Sequence, residues 1–333
     1  LDFLDKILDS DVKVGDIFSN GEENLKRDYR KLSKICHPDS NQDPRAVDAF
    51  QKLNQLYDKA LDMIHKNIWE KSNYLEIKTK TNTTLKINYF YHHTFELGEY
   101  YVCDKHIIYL FDFNKKIYYN NYIKQINELK YEDKKMEDFY KKLFPAIEAE
   151  YDTNTSHIIL ISKPADVYPL RCFIDNVFKG DVPPKHLAWM ITRLLNIGCF
   201  LKFNNLVNNG IEIDNLFVCP KFHSICLYGG WWFTTKEDET MIGTTKNIFN
   251  LMPPKVKSEK ISKSITDIES IKAFGRAYQK DLPDDFKNFL NSGTLDNSVE
   301  ELNKWDSALD KSFGERRFIK IKTTKQEIYN IKN

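Results

Sequence analysis

No apolar run in this sequence approaches the length of a membrane span: the longest, such as residues 158–161, fall far short of the roughly 20 residues a bilayer requires. Cysteine is sparse. The six residues, Cys36, Cys103, Cys172, Cys199, Cys219 and Cys226, include no Cys-x-x-Cys pair. That excludes the usual start of a zinc site or redox couple and suits reduced thiols. Glycine and proline number only 12 and 11, too few for low-complexity linkers. An excess of one charge is missing too. Lys+Arg of 49 against Asp+Glu of 48 leaves +1, so no global field points to nucleic acid or an anionic membrane. Residues 1–5 carry acid where a secretion signal carries base, and a cytoplasmic location is expected. What the chain does have is a 41% hydrophobic and 14% aromatic content, material for a sizeable core, over a length that suggests about two domains. Its wealth of Asn, Lys, Ile and Tyr suggests an AT-rich genome, of the kind a bacteriophage carries.

Residues 24–36 read as a helix. Leu25, Tyr29, Leu32 and Cys36 share one face, while Lys26, Arg30 and Lys34 form a second row flanked by Arg27 and Lys31. Taken alone, such a basic row reads as a solvated face. Pro38 should end the helix at His37. Asp43 and Pro44 then signal a new helix, in which Val47, Phe50, Leu53, Asn54, Tyr57, Leu61 and Ile64 recur at helical spacing through about Lys66. Two amphipathic helices joined by a short loop bury their apolar faces against each other, and Phe3, Leu4, Ile7 and Leu8 can close the open side.

The run Tyr29-Arg30-Lys31-Leu32-Ser33-Lys34, then His37-Pro38-Asp39, then Ala46, Phe50, Asn54, Tyr57 and Leu61 closely resembles a J domain of DnaJ-type co-chaperones, over roughly residues 1–68. The resemblance implies a DnaK-type chaperone as partner, whose ATP hydrolysis the domain stimulates. His37, Pro38 and Asp39 would be the essential contacts. Lys26, Arg27, Arg30 and Lys34 would be the electrostatic dock for an acidic surface. Pro38 fixes the loop, so Asp39 is presented at low entropic cost to meet an arginine of the partner. His37 can also cap the preceding helix.

Beyond a Lys/Asn-rich junction the pattern turns extended. Residues 74–87 read as a hairpin or edge strand, 95–101 and 106–111 as two strands joined at 103–105, and 157–162 as a buried strand. Residues 118–129 and a long segment opened by Pro184 read as helices. Residues 216–218 and 224–228 suggest a small hairpin, and further helices run near 268–278, 285–290 and 299–309. Strands first and helices after imply an α+β domain with a small sheet lobe and a larger helical lobe. The order resembles the bilobal protein-kinase-like fold over residues 75–320, with 321–333 as a C-terminal tail. The multidomain chain is thus expected to join an α-helical J domain to an α+β kinase-like one.

The run Asn208-Asn209-Gly210-Ile211-Glu212-Ile213-Asp214-Asn215 resembles a kinase catalytic loop, and residues 224–230 stand where the metal-binding segment would follow. Phosphoryl transfer needs a carboxylate near the substrate hydroxyl, a lysine on the third strand and an aspartate on magnesium. By the resemblance, Gly210 takes the place of the first, Tyr109 of the second, and Tyr228 or Gly229 of the third. Asn215 remains where the metal-binding asparagine would be. No Gly-x-Gly occurs among the twelve glycines. An asparagine alone cannot neutralise the charge on a transferring phosphoryl group, so a degenerate, catalytically inactive module is expected, with no cofactor, metal or catalytic residue.

Of the remaining signals, His92-His93 would point to opposite faces of a strand, which disfavours a shared metal. Residues 229–233 read as core beside a tight turn, with an exposed aromatic patch as the alternative. Lys255, Lys257, Lys260 and Lys263, with Arg316, Arg317, Lys320 and Lys322, make the C-terminal part locally basic, which reads as solvated surface. The expected function is a co-chaperone whose kinase-like part binds an unknown client protein. The alternatives are a nucleotide-binding or atypical phosphotransferase enzyme, and a decoy that sequesters a host chaperone.

Overall fold

The computed structural model describes residues 3–9, 12–19, 21–65, 73–315 and 319–331. The chain divides into two compact units. The first comprises Leu1–Glu76, Lys86–Phe90 and Thr324–Asn333, and the second Ile77–Leu85 and Tyr91–Thr323.

The first unit is helical: α1 (Phe3–Leu8), α2 (Val14–Ile17), α3 (Glu22–Cys36) and α4 (Ala46–His65). Leu25 and Cys36 of α3 are fully buried against Ala49, Leu53, Leu56, Ala60 and Met63 of α4, and Leu4 and Ile7 of α1 join them. The face of α4 is rotated from the one its spacing predicts. Val47 is 49% exposed, and Phe50, Tyr57 and Leu61 are only half-buried. Small Ala49 and Ala60 take the centre instead, because neighbouring helices approach most closely where side chains are short. The Tyr29 ring packs tilted against Tyr57 with centroids 4.2 Å apart, and its hydroxyl donates to Asn54 Oδ1 at 2.6 Å, tying the two helices by a polar bond as well. The segment expected as a tail contains a short helix with a capping box at Thr324 and Glu327. Nearby, Tyr329 stacks on Phe90 at 5.3 Å, and Lys325 Nζ lies 3.7 Å from the same ring.

The strands β1 (Asn73–Lys78) and β2 (Thr84–Tyr89) pair as a two-stranded ribbon. In the second unit, β3 (Tyr91–Phe95), β4 (Gly98–Val102), β5 (His106–Asp112), β6 (Ala146–Asp152) and β7 (Ser156–Ser162) form an antiparallel sheet of order β3-β4-β5-β7-β6. The single strand expected at 95–101 is in fact two half-strands. The chain turns at Glu96 and Leu97, where Gly98 holds a φ of +148° and lies against the backbone of Leu110. The sheet is followed in space by α5 (Lys116–Asn127), inserted between β5 and β6 together with α6 (Lys134–Tyr140).

The rest is mainly helical. The two-residue strand β8 (Tyr168–Pro169) leads into α7 (Leu170–Val177) and α8 (Pro184–Phe203). After β9 (Leu206–Val207), β10 (Leu216–Cys219) and β11 (Ser224–Leu227) make the expected hairpin, and β12 (Thr235–Lys236) pairs with β9. The lobe ends in α9 (Lys246–Leu251), α10 (Pro254–Glu259), α11 (Ser264–Ala277), α12 (Asp284–Asn291) and α13 (Ser298–Phe313). Eleven residues of α8 are buried, so it is the axis of this lobe. The order is therefore a helical unit, a sheet lobe and a helical lobe, as the sequence pattern implies. No described helix is long and apolar enough to cross a membrane.

Candidate functional site

The first candidate site is the bend between α3 and α4. Pro38 forces an extended backbone on His37 (φ −67°, ψ 128°), which ends α3 there. The orphaned carbonyls of that end are taken up by the loop itself. Ser40 Oγ donates to Lys34 O at 2.9 Å, and Asn41 Nδ2 donates to Ile35 O at 2.8 Å. The backbone N–H groups of Ser40 and Asn41 both reach His37 O at 2.9 Å. Asp43 then accepts the Arg45 N–H at 2.9 Å and its guanidinium at 2.6 Å, which holds the Asp43 carboxyl down to about 2. Arg45 also pairs with Asp5 of α1.

This bracing leaves the tripeptide outward. Pro38 is exposed and the Asp39 side chain is 89% exposed. His37 is half-buried, its ring edge-on to Phe50. The Asp39 backbone N–H donates to His37 Nδ1 at 3.2 Å, so a neutral ring carries its proton on Nε2. The basic row stands on the exposed face of α3. Lys26 pairs with Glu22 at 2.6 Å and Arg27 lies 3.4 Å from Asp28, whereas Arg30, Lys31 and Lys34 have no ion pair among the described residues. The bend thus combines an exposed carboxylate, its Oδ2 3.6 Å from His37 Nδ1, with a cationic helix face.

The second candidate site is the loop after α8. Tyr109, on the third strand of the sheet, is completely buried among the rings of Phe95, Tyr100, Tyr122 and Trp232, with centroids 5.2–6.2 Å away. Phe95 and Trp232 stack at 4.7 Å. Burial in this aromatic layer raises the Tyr109 hydroxyl far above its ordinary value. Gly210 lies directly under Gly230: a Cβ on Gly210 would meet Gly230 Cα at 2.7 Å, and one on Gly229 would overlap Asn215 Oδ1. Asn215 spends its amide on Gly210 O at 2.8 Å and accepts the Gly229 N–H on its own carbonyl at 3.0 Å. Tyr228 is buried, and its carbonyl accepts the Tyr122 hydroxyl at 2.8 Å. These five residues are brought together, but as packed core. The neighbouring carboxylate, Asp214, is held by the guanidinium of Arg171 through two hydrogen bonds.

Sequence reasoning missed the group that shapes this loop. Asp267 of α11, fully buried, accepts the N–H of Asn208 at 2.7 Å and of Asn209 at 2.9 Å. Desolvation pushes its carboxyl up to about 7, against the lowering pull of those two donors. An acid inside the apolar stretch of α11 was its only signal. His92 and His93 do lie on opposite faces, one bonded to Glu99 at 2.7 Å, the other half-buried against Tyr100. No cluster of three metal-binding side chains occurs among the described residues. Trp231, Trp232 and Phe233 are core. Arg316 and Arg317 lie outside the described residues, as does the junction at 66–71.

Comparison with known proteins gives matches of two kinds. Residues 18–66 match the DnaJ domain family. The chain is 44% identical over 41 residues to Chaperone protein DnaJ 1 of Aquifex aeolicus, covering 12% of this chain and 11% of that one. It is 51% identical over 37 residues to DnaJ homolog subfamily B member 14 of Homo sapiens (11% and 10%), and 42% over 50 residues to DnaJ homolog subfamily C member 5B of Ailuropoda melanoleuca (15% and 25%). The chain therefore spans about a tenth of the length of the first two relatives. Among solved structures it is similar to the BubR1 kinase domain, with 9% identity and a TM-score of 0.47 over 67% of this chain and 84% of that one. It is also similar to vaccinia related kinase 3, with 13% identity and a TM-score of 0.46 over 71% and 91%. The helical hairpin, its outward tripeptide and the family match agree: residues 18–66 of this chain are a DnaJ domain.

Proposed function

We propose that this protein is a cytoplasmic co-chaperone that recruits a DnaK-type chaperone and stimulates its ATPase, while its second unit, a catalytically inactive kinase-like module, binds a client. The observation that carries the reading is the exposed His37-Pro38-Asp39 bend beside the basic face of α3, within the DnaJ domain. Lys26, Arg27, Arg30 and Lys34 steer the partner's acidic surface toward the bend, and Asp39 meets an arginine there. No residue of this chain performs bond chemistry; it shifts the conformational equilibrium of another enzyme's site. Joining client and chaperone sites on one chain raises the local concentration of chaperone around the bound client.

The packing around Tyr109 and Gly210 supports an inactive module. A lysine at 109 would be a cation buried among rings, and an aspartate at 210 has no volume to occupy. The test is steady-state ATP turnover of a purified DnaK-type chaperone. Adding the full chain should speed turnover several-fold, and His37→Gln should abolish the increase. Unchanged turnover would overturn the reading, and a decrease would favour a decoy. A thermal shift with millimolar ATP and magnesium would favour the nucleotide-binding alternative.

A further inference from the structure

We propose that the groove between α8 and α13 of the second unit is a docking site for an acidic, amphipathic peptide segment of a protein partner. The proposal rests on the client-binding reading of this unit and names the surface that performs it. The groove encloses a cavity of about 840 Å³, within the range of about 300–1,000 Å³ typical of ligand sites. Its walls are apolar: Ala188 and Trp189 from α8, Leu309 and Phe313 from α13.

The polar groups of those walls are already satisfied, which fixes their shape. Trp189 stacks on His223 at 4.6 Å with the planes 7° apart, and its indole N–H donates to His186 Nδ1 at 3.1 Å. At the base, the Thr192 hydroxyl donates to Ala188 O at 3.0 Å and accepts the Trp305 N–H at 2.8 Å, closing the seam between the helices. The floor therefore offers apolar surface and rigid rings, the features of a pocket that anchors a side chain.

The rim decides the partner. Lys185, Arg193 and Lys320 line it, against one acid, Glu315. None of the three cations has a carboxylate partner among the described residues. Arg193 Nε is anchored on His223 O at 2.9 Å, which orients its guanidinium at the edge. A net charge of the rim near +2 selects carboxylates, and the apolar floor selects an aliphatic or aromatic side chain between them. A nucleic-acid backbone would meet the cations but leave the floor unfilled.

The test uses the full chain and a fluorescein-labelled peptide of Glu and Leu set at helical periodicity, read by fluorescence anisotropy. Saturable binding is expected, with Arg193→Glu and Lys320→Glu each weakening it about tenfold or more and Lys116→Glu, on α5, leaving it unchanged. A Lys and Leu peptide of the same pattern should not bind. Failure of the acidic peptide to bind, indifference to both charge reversals, or equal binding of an oligodeoxythymidylate would overturn the proposal. Suppression of aggregation of a heat-unfolded reporter enzyme separates the two levels. If the wild-type chain suppresses it and Arg193→Glu does so equally, the groove is wrong and client binding stands; if the wild type does not suppress it, the client reading itself fails.

Discussion

The imidazole of His37 stands edge to face on the ring of Phe50, their centroids 5.0 Å apart. The bend is therefore held from α4 as well as from its own chain. A side chain of the second helix sets the direction in which the tripeptide faces.

Replacing Phe50 by leucine keeps an apolar group against the half-buried core but removes the ring that orients His37. Stability should fall by about 1–2 kcal/mol, because leucine is smaller than phenylalanine and leaves part of this half-buried site unfilled. Stimulation of chaperone ATP turnover should fall several-fold. Thermal unfolding and turnover measured on one preparation would check this. Equal stimulation by both forms would mean that the loop hydrogen bonds alone hold His37 in place.

Gly210→Asp would place a carboxylate in the loop after α8, at a position without room for a Cβ. The expected outcome is a drop in melting temperature, from overpacking worth about 1–3 kcal/mol or more, and no phosphate transfer to a generic protein substrate. Appearance of transfer, measured with labelled ATP, would show that the loop can open.

The bend was legible in the sequence because it is local. A proline, a cap and two helical periods lie within forty residues, and each constrains its neighbours directly. The register of α4 was not, because Val47 and Ala49 are both apolar and only the opposing helix decides which one is buried. The sheet was read in part. β6, Ala146–Asp152, alternates half-buried and exposed residues without a strong apolar run, as an edge strand does. The pairing of Asp267 with Asn208 and Asn209 spans almost sixty residues, and no spacing rule reaches that far. That Gly210 faces Gly230 likewise depended on the folded loop, although a glycine in place of a side chain at 210 is read directly from the sequence.

Asp267 should make stability pH-dependent. Its folded carboxyl is raised to about 7 from an ordinary 3.8, so between those values the folded state holds a proton that the unfolded chain has released. The stabilisation is complete below about pH 4 and is lost as pH rises through about 7. Melting temperature should therefore decline across that window, relative to Asp267→Asn, in which the slope from this group disappears. Identical profiles would mean that the two amide donors outweigh burial and keep the carboxylate ionised throughout.

Lys272 of α11 and Glu301 of α13 form an ion pair of 2.6 Å with both side chains fully buried. Lys272 also donates to Ser292 O at 3.1 Å and Thr294 Oγ1 at 3.2 Å, and Glu301 Oε2 accepts the Leu295 N–H at 3.0 Å. Lys272→Met would leave the buried Glu301 carboxylate with only the half-exposed Lys304, 3.7 Å from its Oε1, at a cost of up to about 3–5 kcal/mol. Adding Glu301→Gln removes the stranded charge yet keeps an acceptor for Leu295, so the double variant should be more stable than Lys272→Met alone. Urea unfolding of the four corners of this cycle gives the coupling directly. Strict additivity would show that the pair, despite its burial, contributes no more than its separate hydrogen bonds.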